Sequence, residues 1–537
     1  MRKRKYFKIS ALFTILSFLF MPQYGYSLPQ GADIVAGSAE ISTKDDTMEV
    51  NVTTEKMIAN WQSFSIAQPE AVHFYQPSSS SVALNRVVGA DPSSILGTLT
   101  ATGKLFLINP NGILFGPNSY VDTAGLVAST LNISNEDFLA GRYTFYGQGG
   151  SVVNQGYISA PGGYVALLGS SVENSGVIEA SLGSVALASG RAITLNLDPQ
   201  GLISVVVDEA TSQNLEDKDS AVKNSGTISA EGGRVILTAK ALEAVFDKAV
   251  NNEGIIEAKS LVNKKGEVYL IAEGENSLAS NTGTIDVSAE ESGADGGFVE
   301  VSGVNLDVTK GIIDTSSLEG DAGTILFDPW NFSIDDAWET LFETQDGANI
   351  IVQADNNVTF NLTDNLLDLI NFDTETFKIK AGNNINLNDD GVKTYGGKIK
   401  LFADFDGDGA GDLKLGNGLG LNSNGGNIRL RGANINLTSL VNAGTGNVSL
   451  TASGAINDNA DSEATDIIGN QLDMSAANGI GSSNAIETEV SNLSAYNSNS
   501  GNIEIDNTGN LTLDDLAGWG YSVNNLGLGD VYITTHS

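Results

Sequence analysis

The sequence of 537 residues has no cysteine and few basic residues: 28 Lys and Arg stand against 65 Asp and Glu, for a formal net charge of −37. Without cysteine no disulfide can stabilise the fold. One explanation is a chain that must stay uncrosslinked during a transport step, and the other is a core large enough to need no disulfide. The acidic balance repels phosphate backbones and anionic lipid. It therefore disfavours nucleic acid and membrane surfaces as partners and favours divalent cations or basic patches.

Histidine is almost missing too, since the chain has only His73 and His536. There is no His-Glu-x-x-His segment and no Gly-Lys-Ser/Thr phosphate loop. These absences argue against a metallohydrolase, a catalytic-triad enzyme and a kinase. We therefore expect a protein that is not an enzyme and that holds no organic cofactor.

Long apolar runs are confined to the N-terminus. A cationic start, Arg2 to Lys5, precedes an almost unbroken apolar run from Ile9 to Met21, and Gly25 and Ser27 offer small residues for cleavage. The run is too short for a transmembrane helix, which needs roughly 20 apolar residues. The sequence therefore predicts a secretory signal peptide over residues 1–27.

A repeat emerges when segments of the form Asn-x-Gly-x-Ile-x-Ala, followed by Gly and Val-x-Leu, are aligned. Each copy holds two short alternating strands between Gly-rich turns, and the copies begin at Asn154, Asn174, Asn224, Asn252 and Asn281. One copy cannot bury its own apolar residues, whereas stacked copies would place Ile178 over Ile158 and join the corner Asn amides into a ladder. This predicts a β-solenoid. A β-sandwich is the alternative, but sandwiches do not normally repeat turn and strand residues in register.

Two further features complete the reading of the repeat region. Residues 190–223 break the pattern, and their charge cluster at 216–219 predicts a solvated excursion between coils. From Gly323 the Gly-Asn corners and alternating strands return, which predicts a solenoid running to about Thr534. Only Asp335 to Phe342 and Asn365 to Phe372 suggest short helices or strand excursions.

The segment 103–116, GKLFLINPNGILFG, places a turn between two apolar strands. In Asn109-Pro110-Asn111-Gly112 the proline fixes one backbone angle, the first asparagine can bond its own backbone two residues on, and the glycine accepts a positive φ. On chemistry alone this is a β-turn at a hairpin or a solenoid corner.

The surroundings of this turn resemble the N-terminal secretion domain of the filamentous haemagglutinin family, closely over 30–150 and more loosely beyond. The matching features are Asn60 with Phe64, Val72-His73-Phe74, Leu84-Asn85-Arg86-Val87, Gly97, Leu107 to Ile113, Phe115-Gly116 and Ala128-Ser129-Thr130. The resemblance implies a right-handed parallel β-helix with an N-terminal secretion-domain cap. It also implies export by an outer-membrane two-partner secretion β-barrel transporter, with Asn109, Pro110, Asn111, Gly112 and Ile113 in the region needed for secretion.

We accordingly expect a signal peptide at 1–27, the secretion domain at 28–150, β-helix repeats at 151–330, and further coils with excursions at 331–537. The resemblance implies an adhesin or haemagglutinin-like passenger. It would reach the surface of a Gram-negative bacterium through the periplasm and contact a receptor or glycan on a host or neighbouring cell, with no nucleic acid partner.

Two alternative functions remain open. Polysaccharide lyases and hydrolases use parallel β-helices that gather carboxylates from adjacent coils, and 65 acidic residues could form such a cluster. Some relatives in the family capture haem or its carriers, although this sequence offers no cluster of haem ligands beyond its two histidines.

One motif resembles a calcium loop. In DFDGDGAGD the residues Asp404, Asp406, Asp408 and Asp412 have the spacing of early calcium ligands, and Gly409 stands at the turn. The twelfth position is Leu415, where a bidentate Glu is expected, so a polar turn between coils is favoured over a calcium site.

Overall fold

A computed structural model describes residues 28–197, 202–212, 214, 218–345, 347–460, 463–518 and 520–536. The signal peptide predicted at 1–27 lies outside these residues. Within them the chain is almost entirely β-structure, and its two helices, Asn135–Ala140 and Asp336–Glu343, are short. No helix of the described part is long and apolar enough to cross a membrane.

The repeat forms a parallel β-helix, as the sequence predicts. One coil consists of three strands on three faces, for example Ser151–Asn154 on face C, Tyr157–Ser159 on face B and Tyr164–Gly169 on face A. Strands of successive coils pair in parallel, and Ile158 lies in register with Ile178. Because side chains alternate along each strand, every second residue points into one continuous apolar column.

The faces of the first half are built from the following strands. Face A contains Lys56–Trp61, Val82–Val87, Lys104–Ile108, Gly125–Ser129, Tyr164–Gly169, Ser184–Ser189, Arg234–Lys240, Glu267–Glu273, Phe298–Gly303 and Gly323–Pro329. Face B contains Thr47–Val52, Ala71–Tyr75, Thr98–Ala101, Tyr120–Asp122, Tyr157–Ser159, Val177–Glu179, Thr227–Ser229, Ile255–Glu257, Thr284–Asp286 and Ile312–Asp314. Face C contains Ser93–Ile95, Ile113–Phe115, Ser151–Asn154, Ser171–Asn174, Ser220–Asn224, Lys248–Asn252, Leu278–Asn281 and Asn305–Asp307.

An N-terminal cap covers the first coil. Asp33–Ala36 pairs antiparallel with the first strand of face A, and Ala39–Lys44 forms a hairpin with the first strand of face B. An uncovered strand at this end would present free N–H and C=O groups to other chains. Because the cap occupies this edge, further coils can pair only at the C-terminal end of the stack.

The solenoid continues through the second half, as the sequence predicts. Face A runs on through Ala348–Ala354, Thr376–Ala381, Lys398–Phe402, Ile428–Gly432 and Val448–Ala452. A second sheet consists of Phe332–Ile334, Val358–Phe360, Ile385–Asn386, Leu413–Lys414, Ile435–Leu437 and Ile456–Asp458, and a third of Leu366–Leu369, Gly391–Thr394, Gly420–Asn422 and Val441–Asn442.

Near the C-terminal end two of these sheets merge, because Ile467–Ala476 pairs with both Val441–Asn442 and Val448–Ala452. The last strands are Ile486–Asn497, Ile503–Thr508, Thr512–Leu513, Val523–Asn525 and Val531–His536. Of the two predicted short segments, the first is the helix Asp336–Glu343, whose N-cap Asp335 accepts from the N–H groups of Ala337 and Trp338. The second contains a strand, Leu366–Leu369.

The corner asparagines form the predicted ladder inside the helix. Each is fully buried, and four of the five Nδ2 groups donate to Oδ1 of the asparagine one coil on: Asn154 to Asn174, Asn174 to Asn224 and Asn224 to Asn252 at 2.8 Å, and Asn252 to Asn281 at 2.7 Å. Asn281 ends the ladder, and its Nδ2 has no partner among the described residues. A buried amide needs such partners, since an unsatisfied one costs about 1–3 kcal/mol.

The segment 190–223 does leave the coil stack, but most of its described part is packed and not solvated. Residues 216 and 217 of its charge cluster lie outside the described residues. Ala192–Leu197 and Ile203–Glu209 form an antiparallel hairpin, which pairs with Tyr143–Tyr146 to make a small separate sheet. Ile193 and Ile203 are fully buried in it. Ile193, Leu195, Ile203 and Val207 pack on the outer side of face A, whereas Val206 is 48% exposed.

Candidate secretion site

The predicted secretion motif forms a corner of the β-helix. It joins the face A strand Lys104–Ile108 to the face C strand Ile113–Phe115. The Gly112 N–H donates to the Asn109 carbonyl at 3.1 Å, and the Gly112 backbone has φ +124°, which residues with a side chain rarely adopt. The local sequence therefore folds as its turn chemistry predicts.

The Asn109 side chain fastens this corner to the preceding coil. It is fully buried, and its Nδ2 donates to the Asp91 carbonyl and to Ser93 Oγ, each at 3.0 Å. Its Oδ1 accepts from the Asn111 backbone N–H at 3.0 Å. All three of these partners would lose a bond if the amide were removed.

Little of the motif reaches the surface of the folded protein. Only Pro110 and Asn111 are exposed, while Asn109, Gly112 and Ile113 are buried. The exposed Asn111 also reaches back one coil, since its Nδ2 donates to the Gly89 carbonyl at 3.0 Å. The motif thus contributes mainly to the stacking of the early coils.

Arg86 is a second anchor in this region. Its guanidinium donates to Asn132 Oδ1 at 2.9 Å, to Asn135 Oδ1 at 2.8 Å and to the Ile133 carbonyl at 2.6 Å. Partial burial lowers the pKa of Arg86. These bonds hold the segment that leads into the helix Asn135–Ala140 against face A. The sequence could not reveal them because the partners lie 46 to 49 residues away.

A buried polar contact lies beside this anchor. Trp61 Nε1 donates to Asn85 Oδ1 at 3.0 Å, and the Trp61 ring meets Phe64 edge to face at 5.4 Å. All three residues are almost completely buried. The residues that carry the family resemblance therefore form one packed structure and not a row of exposed contacts.

The predicted calcium loop brings three of its four carboxylates together. Oxygens of Asp404, Asp406 and Asp408 lie within 4.8 Å of one another. Asp404 is buried and accepts from the Gly409 N–H at 3.0 Å. Asp412 is engaged elsewhere, since its Oδ1 accepts from Asn434 Nδ2 at 2.9 Å. Three carboxylates at one turn are fewer than the six to eight oxygens that calcium takes.

A second carboxylate group was not found from the sequence. Asp458, Asp466 and Glu487 come from separate segments, and their oxygens also lie within 4.8 Å of one another. Burial, with repulsion from Asp458 and Glu487, raises the pKa of Asp466 to about 8. Burial also raises the pKa of Glu487. No local motif signals this group, because only the coil register places its members side by side.

Residues 26–287 match the sequence model of the family described as "TPS secretion domain". This part of the chain is a TPS secretion domain, the domain of two-partner secretion passengers. It contains the cap, the Asn109 corner, the Arg86 anchor and the whole Asn ladder. The domain assigns the protein to secretion at the cell surface of a Gram-negative bacterium. The match to this family model reaches residue 287, whereas the close resemblance seen in the sequence ends near residue 150.

Two relatives of this passenger are proteins of Haemophilus influenzae, each described as "Heme/hemopexin-binding protein". One is 32% identical over 256 residues, covering 46% of this chain and 27% of the relative, and the other is 36% identical over 271 residues, covering 46% and 28%. The passenger therefore spans little more than a quarter of the length of these relatives.

Solved structures with some likeness include two secretion domains. The HMW1 secretion domain of Haemophilus influenzae has 20% identity and a TM-score of 0.42, with coverage of 94% of this chain and 100% of that one. A filamentous hemagglutinin secretion domain has 16% identity and a TM-score of 0.36, with coverage of 55% and 99%.

Proposed function

We propose that an outer-membrane β-barrel partner exports this passenger and that the folded rod then acts outside the cell as an adhesin. The match of residues 26–287 to the TPS secretion domain carries the proposal. A rod with repeated corners presents a long surface to a receptor or glycan on another cell, which suits many weak contacts acting together.

Export of an unfolded chain fits the construction of the β-helix. The cap closes the first coil, so each later coil can add only at the other end, where it buries its own apolar column. Absence of cysteine leaves the chain uncrosslinked, and the net charge of −37 opposes collapse before folding. Folding outside the membrane would then proceed coil by coil from the capped end.

Within this scheme Asn109 is a positioning residue for the first coils. Replacing Asn109 with Ala removes both bonds to the preceding coil and leaves buried polar groups without partners. We expect Asn109→Ala to lower the amount of protein in the medium and to leave protein in the periplasm. Asn118→Ala is the matched control, since Asn118 lies in the next turn and is exposed. Normal secretion of Asn109→Ala would contradict the assigned role.

Capture of haem or of a haem carrier is a second candidate, favoured by the similarity to two heme/hemopexin-binding proteins. His73 is partly buried and bonded to Thr100 Oγ1 at 2.7 Å, and His536 lies beside Asp506 at 2.9 Å. These two residues lie in different coils, so a carrier protein is a better candidate ligand than free haem. Retention of hemopexin by the immobilised passenger, with no haem absorbance band on the passenger alone, would support this function over adhesion.

We further propose that the passenger binds its target without cleaving it. The buried group of Asp458, Asp466 and Glu487 resembles a set of acid and base carboxylates, but two of its members are less than 5% exposed and out of reach of a polymer. Incubation with pectin-like and glycosaminoglycan polymers should leave their chain length unchanged. Shortened polymers would establish a polysaccharide lyase or hydrolase instead.

A further inference from the structure

The cationic residues of the second half are concentrated in one place. Residues 311–537 contain eight Lys and Arg, and all of them lie between 378 and 431: Lys378, Lys380, Lys393, Lys398, Lys400, Lys414, Arg429 and Arg431. The other charged residues of this half are Asp and Glu. Such a distribution in a chain of net charge −37 calls for a local explanation.

Six of these residues share the outer side of face A, on three neighbouring strands. Lys378, Lys400 and Arg429 are in register and form one column across the strands. Lys380 and Arg431 flank Phe402 in the adjacent column, and Lys398 lies at the edge of the group. Neighbouring strands are about 4.8 Å apart, so the cations form a dense flat grid. We call these six cations with Phe402 the basic platform.

The platform has little anionic compensation. Among the residues that the structure describes, no carboxylate forms an ion pair with any of its six cations, and Lys380 donates instead to Gln353 Oε1 at 2.8 Å. Asp328 lies near Lys380, and Asp473 near Arg429, at its borders. Partial desolvation, followed by repulsion from Lys380, Lys400 and Arg429, lowers the pKa of Lys378.

Several cations elsewhere on the same protein are paired with carboxylates. Lys240 lies 3.1 Å from Glu273, Lys259 lies 2.5 Å from Glu290, and Lys265 lies 3.0 Å from Asp295. Assembling like charges without counter-ions is unfavourable for folding, and acidic residues are abundant in this chain. The platform is therefore built at some cost, which a bound polyanion would offset.

Aromatic rings lie among the charges. Lys378 Nζ and the Arg429 guanidinium lie 5.4 and 5.8 Å from the centre of the Phe402 ring, and Lys380 Nζ lies 4.3 Å from that of Phe405. Phe405 is 40% exposed. A flat surface that combines cations with partly exposed rings can hold anionic groups and also pack against the apolar faces of sugar rings.

We propose that the basic platform is a binding site for a linear polysaccharide that carries sulfate or carboxylate groups. The platform is open and flat, so an extended polymer can cross the three strands without entering a pocket. The proposal rests on the extracellular role proposed above only for its choice of polymer.

The observations favour a polysaccharide over the other polyanions. A DNA duplex carries one negative charge per roughly 1.7 Å, so the acidic remainder of the passenger would repel it strongly. A second copy of this chain also carries a net charge of −37 and would be repelled in the same way. A single flexible polysaccharide strand can lie along the platform alone, whereas a rigid duplex extends over the acidic surface beside it.

The test uses the purified passenger and measures binding to dextran sulfate, hyaluronan, neutral dextran and a DNA duplex at low and high NaCl. The altered protein is Lys378→Ser/Lys400→Ser/Arg429→Ser. Its matched control is Lys240→Ser/Lys259→Ser/Lys265→Ser, which changes the net charge equally. The variant Lys378→Arg/Lys400→Arg/Arg429→Lys changes the same three side chains and keeps their charge.

We expect the unaltered passenger to bind dextran sulfate or hyaluronan, and salt to weaken the binding. The triple serine variant should bind about tenfold more weakly, because three charge contacts at the surface are lost. The matched control and the charge-keeping variant should bind as the unaltered protein does. Binding of dextran sulfate alone would assign sulfate, and binding of hyaluronan would admit carboxylate.

Three results would overturn the proposal: no binding to either acidic polymer, equal loss in the serine variant and its control, or tighter binding of the DNA duplex. Because the assay uses purified protein, its failure would leave the export scheme intact. A failure of the Asn109 experiment would in turn leave the platform untouched.

Discussion

The two halves of face A differ on their outer side, although a single column of residues runs through both. In the first half the column begins with Leu84, Phe106, Val127, Ala166, Ala186 and Ile236. It then passes through Tyr269, Glu300, Leu326 and Ile351 and ends with Lys378, Lys400, Arg429, Ser449, Asp473 and Ser494. The inner side is mostly apolar in both halves, with Asn85 as a buried polar exception. The backbone repeat therefore sets the fold, while the outer column decides whether a coil is covered or available for binding.

What covers the first half is a second apolar core. The helix Asn135–Ala140 and the small sheet of Tyr143–Tyr146, Ala192–Leu197 and Ile203–Glu209 pack on face A. Phe106 lies at the centre, with its ring 5.5 Å from Phe138, 5.1 Å from Tyr143 and 6.2 Å from Phe145. In the secretion domain, face A is therefore buried on its inner side by the core of the β-helix and on its outer side by this second core.

Breaking this covering should have the largest effect. Phe106→Ala removes a fully buried ring and should lower the free energy of unfolding by roughly 3–5 kcal/mol, because a cavity remains that the rigid coil cannot close. Lys400→Ala, in the same column of the uncovered half, should change it by no more than about 0.5 kcal/mol. Urea unfolding of both variants, followed by circular dichroism, measures the difference. Similar losses would mean that the covering adds no stability.

Much of this comparison could be predicted from the sequence and part could not. The Asn-x-Gly repeat predicts the coils, the Ile158 and Ile178 register and the Asn ladder, because each of these follows from neighbouring positions in one coil. The Asn109 turn follows in the same way. Its role in secretion stays a prediction, as do the assigned domain boundaries.

The outer surfaces could not be predicted from the sequence, because they depend on which residues of successive coils lie side by side. Tyr143–Tyr146 pairs with a strand 50 residues on, and a pattern of alternation does not reveal such a partner. The basic platform was hidden for a related reason, since Lys378, Lys400 and Arg429 lie more than 20 residues apart and the overall charge is strongly negative. The net charge of the whole chain therefore does not reveal a local cationic surface.

The buried asparagine ladder of the first half can be compared with the partly buried pair of Asn436 and Asn457 in the second half. Asn224 is fully buried, donates to Asn252 Oδ1 and accepts from Asn174 Nδ2. Asn224→Ala should therefore destabilise by about 2 kcal/mol, because both neighbours lose a buried partner. Asn436 in the second half accepts from Asn457 Nδ2 at 3.0 Å but is only partly buried. Asn436→Ala should cost under about 1 kcal/mol, since water can replace the lost bond. Equal costs in thermal unfolding would show that burial does not set the strength of the ladder.

A smaller effect should be seen in how the stability of the two halves depends on pH. The folded Asp466 holds its proton up to a pKa of about 8, whereas in the unfolded chain it loses the proton near its usual pKa. The folded state thus binds the extra proton between these values, so stability of the C-terminal coils should fall as pH rises from 5 to about 8. Asp466→Asn, which keeps the shape without the charge, should raise stability at pH 8 by on the order of 1 kcal/mol and leave it nearly unchanged at low pH. Hydrogen exchange of Ile467–Ala476 at both pH values measures this. An equal effect at both would contradict it, and exchange of Tyr164–Gly169 serves as the internal control.

The weakest expected effect concerns the loop of Asp404, Asp406 and Asp408, which borders the basic platform at Arg431. Because Asp412 is engaged by Asn434 and Leu415 replaces a carboxylate ligand, any calcium binding should be no tighter than about 10⁻⁴–10⁻³ M. Titration calorimetry of the passenger should then show heat only at millimolar calcium, and Asp406→Asn should abolish it. Asp389→Asn, which alters an exposed carboxylate outside the loop, should leave the heat unchanged. Absence of heat in the unaltered protein would remove the calcium prediction and identify the loop as a polar turn. Arg431 lies beside this loop. Calcium bound there would add positive charge next to the platform, so calcium should strengthen polysaccharide binding.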